Sequence, residues 1–180
     1  ADLPADLKGR LAVETDHLFK EGGFPYGSHV CEVEIDPDTG HLTLIGYAAV
    51  DDVGRAINPM ILHGQTHGGI AQGVGQALWE HSVFDRETGQ PLAASFMDYA
   101  MPRADTLPSF VPAISEVPSP TNPLGVRAGG EGGTTPALGA VTTAGVRAPP
   151  GVGAQHRDMP ADGQQTWRAI RNVPGRQELG

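Results

Sequence analysis

Asn58-Pro59-Met60-Ile61-Leu62-His63-Gly64-Gln65-Thr66-His67-Gly68-Gly69-Ile70-Ala71-Gln72-Gly73-Val74-Gly75 reads as the opening of a long helix. Asn58 has the side chain of an N-cap, and Pro59 takes the first helical position, where its missing N–H costs nothing. An apolar stripe of Ile70, Val74, Ala77 and Leu78 then carries the helix towards His81. Yet Gly64, Gly68, Gly69, Gly73 and Gly75 lie in the same stretch, and each costs ~1 kcal/mol against alanine in a helix interior. A purely structural helix would not keep them all. Its backbone has to come close to something.

Upstream, His29 to Ile35 alternates, with Cys31, Val33 and Ile35 on one face and Glu32, Glu34 and Asp36 on the other. That is a half-buried strand. Asp36-Pro37-Asp38-Thr39-Gly40 has turn chemistry and His41 to Val50 resumes a β-rich run, so the two form an antiparallel hairpin. Downstream, Phe84-Asp85-Arg86-Glu87-Thr88-Gly89 reads as a turn leading into Leu92 to Tyr99, a second strand pair. Met101 to Asn122 is punctuated by proline and is expected to be extended or looped. Thr135-Pro136 caps and starts a helix that must end before Pro149 and Pro150, and a short helix spans Gln165 to Arg171. Strands and helices mix without regular βαβ alternation, so the expected class is α+β, with residues 1–180 as a single segment.

A chain of 180 residues and 18.8 kDa has room for one ordinary core. Its 21 acidic and 12 basic side chains give a formal charge of −9, which repels phosphate backbones and anionic membranes; no nucleic acid or membrane partner is expected. Cys31 is the lone cysteine, so the chain can build neither an internal disulfide nor a cysteine-ligated zinc or iron–sulfur centre. No run of about 18 apolar residues occurs, and Ala1-Asp2-Leu3-Pro4 has none of the regions of a signal peptide. A cytoplasmic location is the expectation.

His63 and His67 stand four apart, a spacing at which two imidazoles can share zinc, but Gly64 occupies the place where the zinc-protease pattern needs its glutamate. No metal ligand is therefore assigned. Asp51-Asp52 at a strand end reads as a solvated or capping pair rather than a cation site. Acyl transfer has no Gly-x-Ser-x-Gly elbow to work with, and Cys31 has no activating neighbour in sequence. Gly129-Gly130-Glu131-Gly132-Gly133 has no lysine and carries a carboxylate at its centre, which a phosphate-cradling loop would avoid. Glycines on both sides let the backbone approach a bulky ligand, and the helix start just downstream favours an ionised carboxylate, so Glu131 is a candidate base. The competing reading is a flexible turn with a solvated glutamate.

Several ordered motifs in the chain resemble the xanthine dehydrogenase and aldehyde oxidase group of molybdenum hydroxylases. They are Phe24-Pro25-Tyr26-Gly27-Ser28-His29-Val30, Val33-Glu34-Ile35-Asp36-Pro37-Asp38-Thr39-Gly40, Val50-Asp51-Asp52-Val53-Gly54-Arg55-Ala56-Ile57-Asn58-Pro59, Gly64 to Gly75, and Asn122-Pro123-Leu124-Gly125-Val126 leading into Gly130-Glu131-Gly132-Gly133. The resemblance implies the C-terminal portion of the molybdopterin-binding domain of a large subunit. It implies that Gln65, His67, Gly68, Gly69 and Gly130 contact the cofactor, molybdopterin with molybdenum in its cytosine dinucleotide form, and that Glu131 is the catalytic base. It further implies hydroxylation of an aldehyde, N-heterocycle or related small molecule with oxygen from water. Carbon monoxide is less favoured, because the loop that marks its true oxidisers lies upstream in the family. Electrons are expected to leave through two-iron two-sulfur clusters on a small subunit to FAD on a medium subunit, and the remainder of the large subunit is a required partner. The rival expectation is a non-catalytic scaffold or interaction fragment of such a large subunit, inactive alone.

Overall fold

A computed structural model describes residues 14–16, 18, 21–148 and 157–171. β1 (Tyr26–Ile35) and β2 (Leu42–Asp52) form the expected antiparallel hairpin. In its turn, Asp36 accepts hydrogen bonds from the Asp38 amide and the Thr39 hydroxyl, both at 2.8 Å, and Gly40 takes φ +73°. Leu42, Leu44, Tyr47 and Ala49 of β2 point into the core. Parity changes between Leu44 and Tyr47 because Glu32 pairs with Gly46 and Val33 with Leu44, which leaves Ile45 as the extra residue of a β-bulge.

α1 (Pro59–Leu78) begins as read: the Asn58 side chain accepts from the Ile61 amide at 3.3 Å, and Pro59 follows it. It stops at Leu78, short of His81, where the Trp79 and Glu80 amides both turn back to the Gly75 carbonyl at 2.9 and 2.8 Å. Ile70, Val74, Ala77 and Leu78 are the stripe that closes over β2, each at most 2% exposed. Burying a side chain of this size contributes roughly 1.5–3 kcal/mol.

One expectation needs correction. The pair from Phe84 to Tyr99 is not a second strand pair: it is reduced to one bridge between Phe84 and Pro91. Local bonding takes the chain instead, since Ser95 and Asp98 join side chains at 2.9 Å and the Asp98 and Tyr99 amides fold back on the Ser95 carbonyl. The proline-punctuated stretch is extended or looped as read, and its extended part is a strand, β3 (Phe110–Ser115), which pairs parallel with β2 across α1. Pro112 is tolerated there because the sheet order β1-β2-β3 puts β3 at an edge.

α2 (Thr134–Arg147) starts two residues earlier than read, with Gly133 rather than Thr135 as N-cap and no side-chain cap. A side chain at 133 would reach within 2.5 Å of the Thr66 carbonyl, so close passage over α1, not capping chemistry, selects the residue. The two prolines expected to follow the helix end lie outside the described residues. α3 (Gly163–Arg171) buries Thr166 and Ile170. Mixed strands and helices around one small sheet give the α+β class.

The glycines of α1 divide by face. A Cβ at Gly69 would sit 2.9 Å from the Gly133 Cα, and one at Gly73 would sit 2.7 Å from the Ala137 Cβ, so this i, i+4 pair is the seam between α1 and α2. Gly75 similarly admits Pro102. Gly64 and Gly68 meet nothing within 4 Å. Substitution should therefore split: Gly64→Ala raises stability by up to ~1 kcal/mol through helix propensity, whereas Gly69→Ala lowers it by ~1–3 kcal/mol through overpacking. Urea unfolding of both variants measures this, and equal effects would remove the seam as an explanation.

Candidate functional site

The glycine-rich loop lies along the N-terminal half of α1. A Cβ at Gly129 would press on Leu62 at 2.8 Å, one at Gly130 would lie 3.9 Å from the Gln65 amide nitrogen, one at Gly132 would point at the Asp51 carboxylate, 3.7 Å from its Cγ, and Gly133 crosses at Thr66 and Ile70. Glu131 is exposed at the crest, its backbone carbonyl accepting from the Thr135 amide at 3.3 Å. The approach to this loop is clamped upstream. Asn122 bonds both ways to the Val126 backbone at 2.9 and 3.1 Å, and Arg127 donates its amide to the Val53 carbonyl at 2.8 Å.

Of the residues singled out from the sequence, Gln65, Gly130 and Glu131 are thus brought together. Gly68 lies on the same helix with open space before its backbone. Gly69 and His67 do not join them. Gly69 is buried in the seam with Gly133, and its conformation serves packing rather than an open surface. His67 is exposed and sets its ring edge-on to Phe110 of β3, with centroids 5.6 Å apart.

Beneath the loop is a polar network that sequence reading did not assemble. His29, its side chain 1% exposed, lies between Tyr47 and Asp51: Nδ1 is 2.9 Å from the Tyr47 hydroxyl and Nε2 is 2.9 Å from Asp51 Oδ1. Asp51 Oδ2 accepts from the Thr66 hydroxyl at 3.3 Å. Burial, then the neighbouring Cys31 and Asp51, push the Tyr47 phenol well above its ordinary value, so it stays protonated. Burial alone pushes the Cys31 thiol up to about 11, which leaves it no thiolate for nucleophilic work. A signal for the network was available, because alternation already places His29 on the inward face with Cys31, Val33 and Ile35, where an imidazole needs partners.

The open backbone at Gly64 and Gly68, the Gln65 amide and an exposed carboxylate on a glycine loop form a surface that fits a large polar cofactor: bare main chain for close approach, an amide to bond it and an acid beside it. Comparison with known proteins agrees with that chemistry. The molybdopterin cofactor-binding domain family matches residues 8–108. The carbon monoxide dehydrogenase large chain of Hydrogenophaga pseudoflava is 34% identical over 170 residues, 93% of this chain and 21% of that one. Subunit gamma of the 6-hydroxypseudooxynicotine dehydrogenase complex of Paenarthrobacter nicotinovorans is 36% identical over 74% of this chain and 17% of its own. The structure of quinoline 2-oxidoreductase from Pseudomonas putida 86 superposes with a TM-score of 0.77 at 35% identity, over 82% of this chain and 19% of that one. The chain thus spans about a fifth of the length of the relatives it matches.

Asp52, read as half of a solvated or capping pair, is buried and caps. Its Oδ1 accepts from the Gly54 amide at 2.8 Å and the Val117 amide at 3.2 Å, and Arg127 Nε stands 3.8 Å away. Burial would raise this carboxyl, but the two amides, the Tyr26 hydroxyl and Arg127 together hold it below its usual range. Its contribution to stability is therefore fully present above the ordinary unfolded value of about 3.9 and is lost as pH falls through the lower folded value. Asp52→Asn should lower stability at neutral pH and flatten the acid limb of the stability curve. Urea midpoints measured across the acid range check this, and an unchanged acid limb would contradict it.

Proposed function

The chain belongs to the molybdopterin cofactor-binding domain family of molybdenum hydroxylase large subunits, and from that premise we propose the part each of its residues plays. Gln65, Gly68 and Gly130 hold one edge of the cofactor, and Glu131 is the base of the hydroxylation. The observation that carries this reading is that the Gln65 amide lies beside Gly130, one residue before Glu131, next to the uncovered helix glycines Gly64 and Gly68. Gly69 contributes from behind, by letting the loop settle on α1, and the exposed His67, next to Gly68, is a further contact of the cofactor farther along the helix. Bound molybdopterin with its molybdenum would supply the two-electron acceptor and the water-derived oxygen. A carboxylate oxygen of Glu131 would accept the proton released in the hydroxylation. The glycines on either side keep other side chains away from that carboxylate.

The substrate is an aldehyde, an N-heterocycle or a related small molecule. Relatives named for carbon monoxide, for 6-hydroxypseudooxynicotine and for quinoline all match at 34–36% identity, so the degree of likeness does not choose among them. Carbon monoxide stays the less favoured choice. The cofactor is the cytosine dinucleotide form, and the partners are the remainder of the large subunit, an iron–sulfur small subunit and an FAD medium subunit; names such as large chain and subunit gamma place those relatives in complexes of several chains. Phe96 and Met97 are 83% and 93% exposed, and Met60, at the other end of α1, is 77% exposed; these are apolar side chains that the remainder of the large subunit would cover. Alone, the chain is inactive. No helix of the described residues is long and apolar enough to cross a membrane.

Glu131→Gln in the assembled enzyme keeps shape and removes the base, so kcat should fall by the roughly 10²–10⁴-fold typical of general acid–base catalysis. Molybdenum and pterin content should stay level. Turnover normalised to metal measures it. Near wild-type turnover per metal would return Glu131 to a solvated turn and favour a non-catalytic scaffold.

A further inference from the structure

We propose that Thr66, Asp51 and His29 are positioning residues for Glu131, a floor of fixed hydrogen bonds on which the 130–133 backbone rests. The proposal builds on the reading of Glu131 as base. A carboxylate can only accept, so His29 Nε2 carries the hydrogen between it and Asp51 Oδ1, and Nδ1 faces the Tyr47 hydroxyl. Both ring nitrogens are thus engaged on a side chain with almost no exposure, which fixes the orientation of Asp51. Asp51 is boxed further by Gly27 of β1, where any side chain would collide with its Oδ1. Its other oxygen takes the Thr66 hydroxyl at 3.3 Å, tying β2 to α1 one residue after Gln65.

The tie falls directly below the loop. The Asp51 carboxylate faces Gly132, and the Thr66 carbonyl abuts Gly133, so the two residues after Glu131 are seated on the two partners of one hydrogen bond. Thr66 is itself buried, at 9% exposure, as are Asp51 and the His29 side chain. If the bond were present only to hold the fold, its loss would lower stability without regard to Glu131. A positioning floor instead moves the base by a fraction of an ångström, and misplacement of about 1 Å costs on the order of 10²-fold in rate.

Thr66→Val is nearly isosteric and deletes the hydroxyl; Thr66→Ser keeps it; Asp51→Asn removes the charge. In the assembled enzyme, Thr66→Val and Asp51→Asn should lower kcat roughly 10- to 100-fold with KM and molybdenum content unchanged. Thr66→Ser should restore kcat to near wild type. Hydrogen exchange of the 130–133 amides should quicken in the first two variants and not in the third. Introduced into Glu131→Gln, Thr66→Val should cause no further loss, because there is no base left to misplace. Losses that multiply with Glu131→Gln, or unchanged exchange in the loop, would overturn the proposal. Full turnover in Glu131→Gln alone would instead defeat the base assignment, while the exchange measurement would still decide whether Thr66 and Asp51 hold the loop.

Discussion

The structure depends on a backbone crossing. Gly69 of α1 meets Gly133 at the entry to α2, and one turn on Gly73 meets Ala137, so two helices approach at a distance that no larger residue at 69 or 133 would allow. Interiors pack as densely as organic crystals, and a contact of this kind has no slack to absorb a methyl group. Because the loop 129–133 leads straight into that seam, its course is set by packing on one side only. The other side, with Glu131 at the crest, is left free to meet a ligand.

Two neighbouring carboxylates show how the same floor handles charge. Asp51 and Asp52 are both buried, 6% and 4% exposed, and burying an unpaired carboxylate would be prohibitive. Asp51 turns to His29 and Thr66, inside the sheet and under α1. Asp52, pointing the opposite way from the strand end, takes the Gly54 and Val117 amides and Arg127. One therefore braces the loop from below, and the other fixes the chain that leads into it. Arg127 also covers the Tyr26 ring at 4.8 Å, which joins the first strand to the same clamp.

Local chemistry made much of the fold legible. The Asp36 turn, the Asn58 cap and the stop of α2 before two prolines rest on residues close in sequence, the Ile70–Val74–Ala77 stripe is marked by its local spacing, and each stands as read. What escaped was non-local. β3 is a strand because β2 offers it a parallel partner across α1, and nothing within Phe110–Ser115 announces that pairing; Leu92 to Tyr99 has strand-like composition but loses its ladder to the Ser95 turn. The site divides in the same way. Glu131, Gln65 and Gly130 were marked by glycine context and family likeness, whereas the separation of Gly68 from Gly69, and of His67 from both, depends on which face of α1 the loop covers. Asp51 with His29 needed partners far apart in sequence, so only the folded chain brings them together.

The division of the α1 glycines into a packed face and an open one is the central claim, and Gly68 is where it can be tested without touching the core. Molybdenum and pterin should be measured per large subunit in assembled enzyme carrying Gly68→Val, beside its thermal midpoint. Open space before Gly68 predicts a clear loss of cofactor, because the added side chain occupies the place the cofactor needs, with a midpoint no lower than that of wild-type enzyme stripped of its cofactor. Full molybdenum and pterin occupancy in that variant would contradict the account.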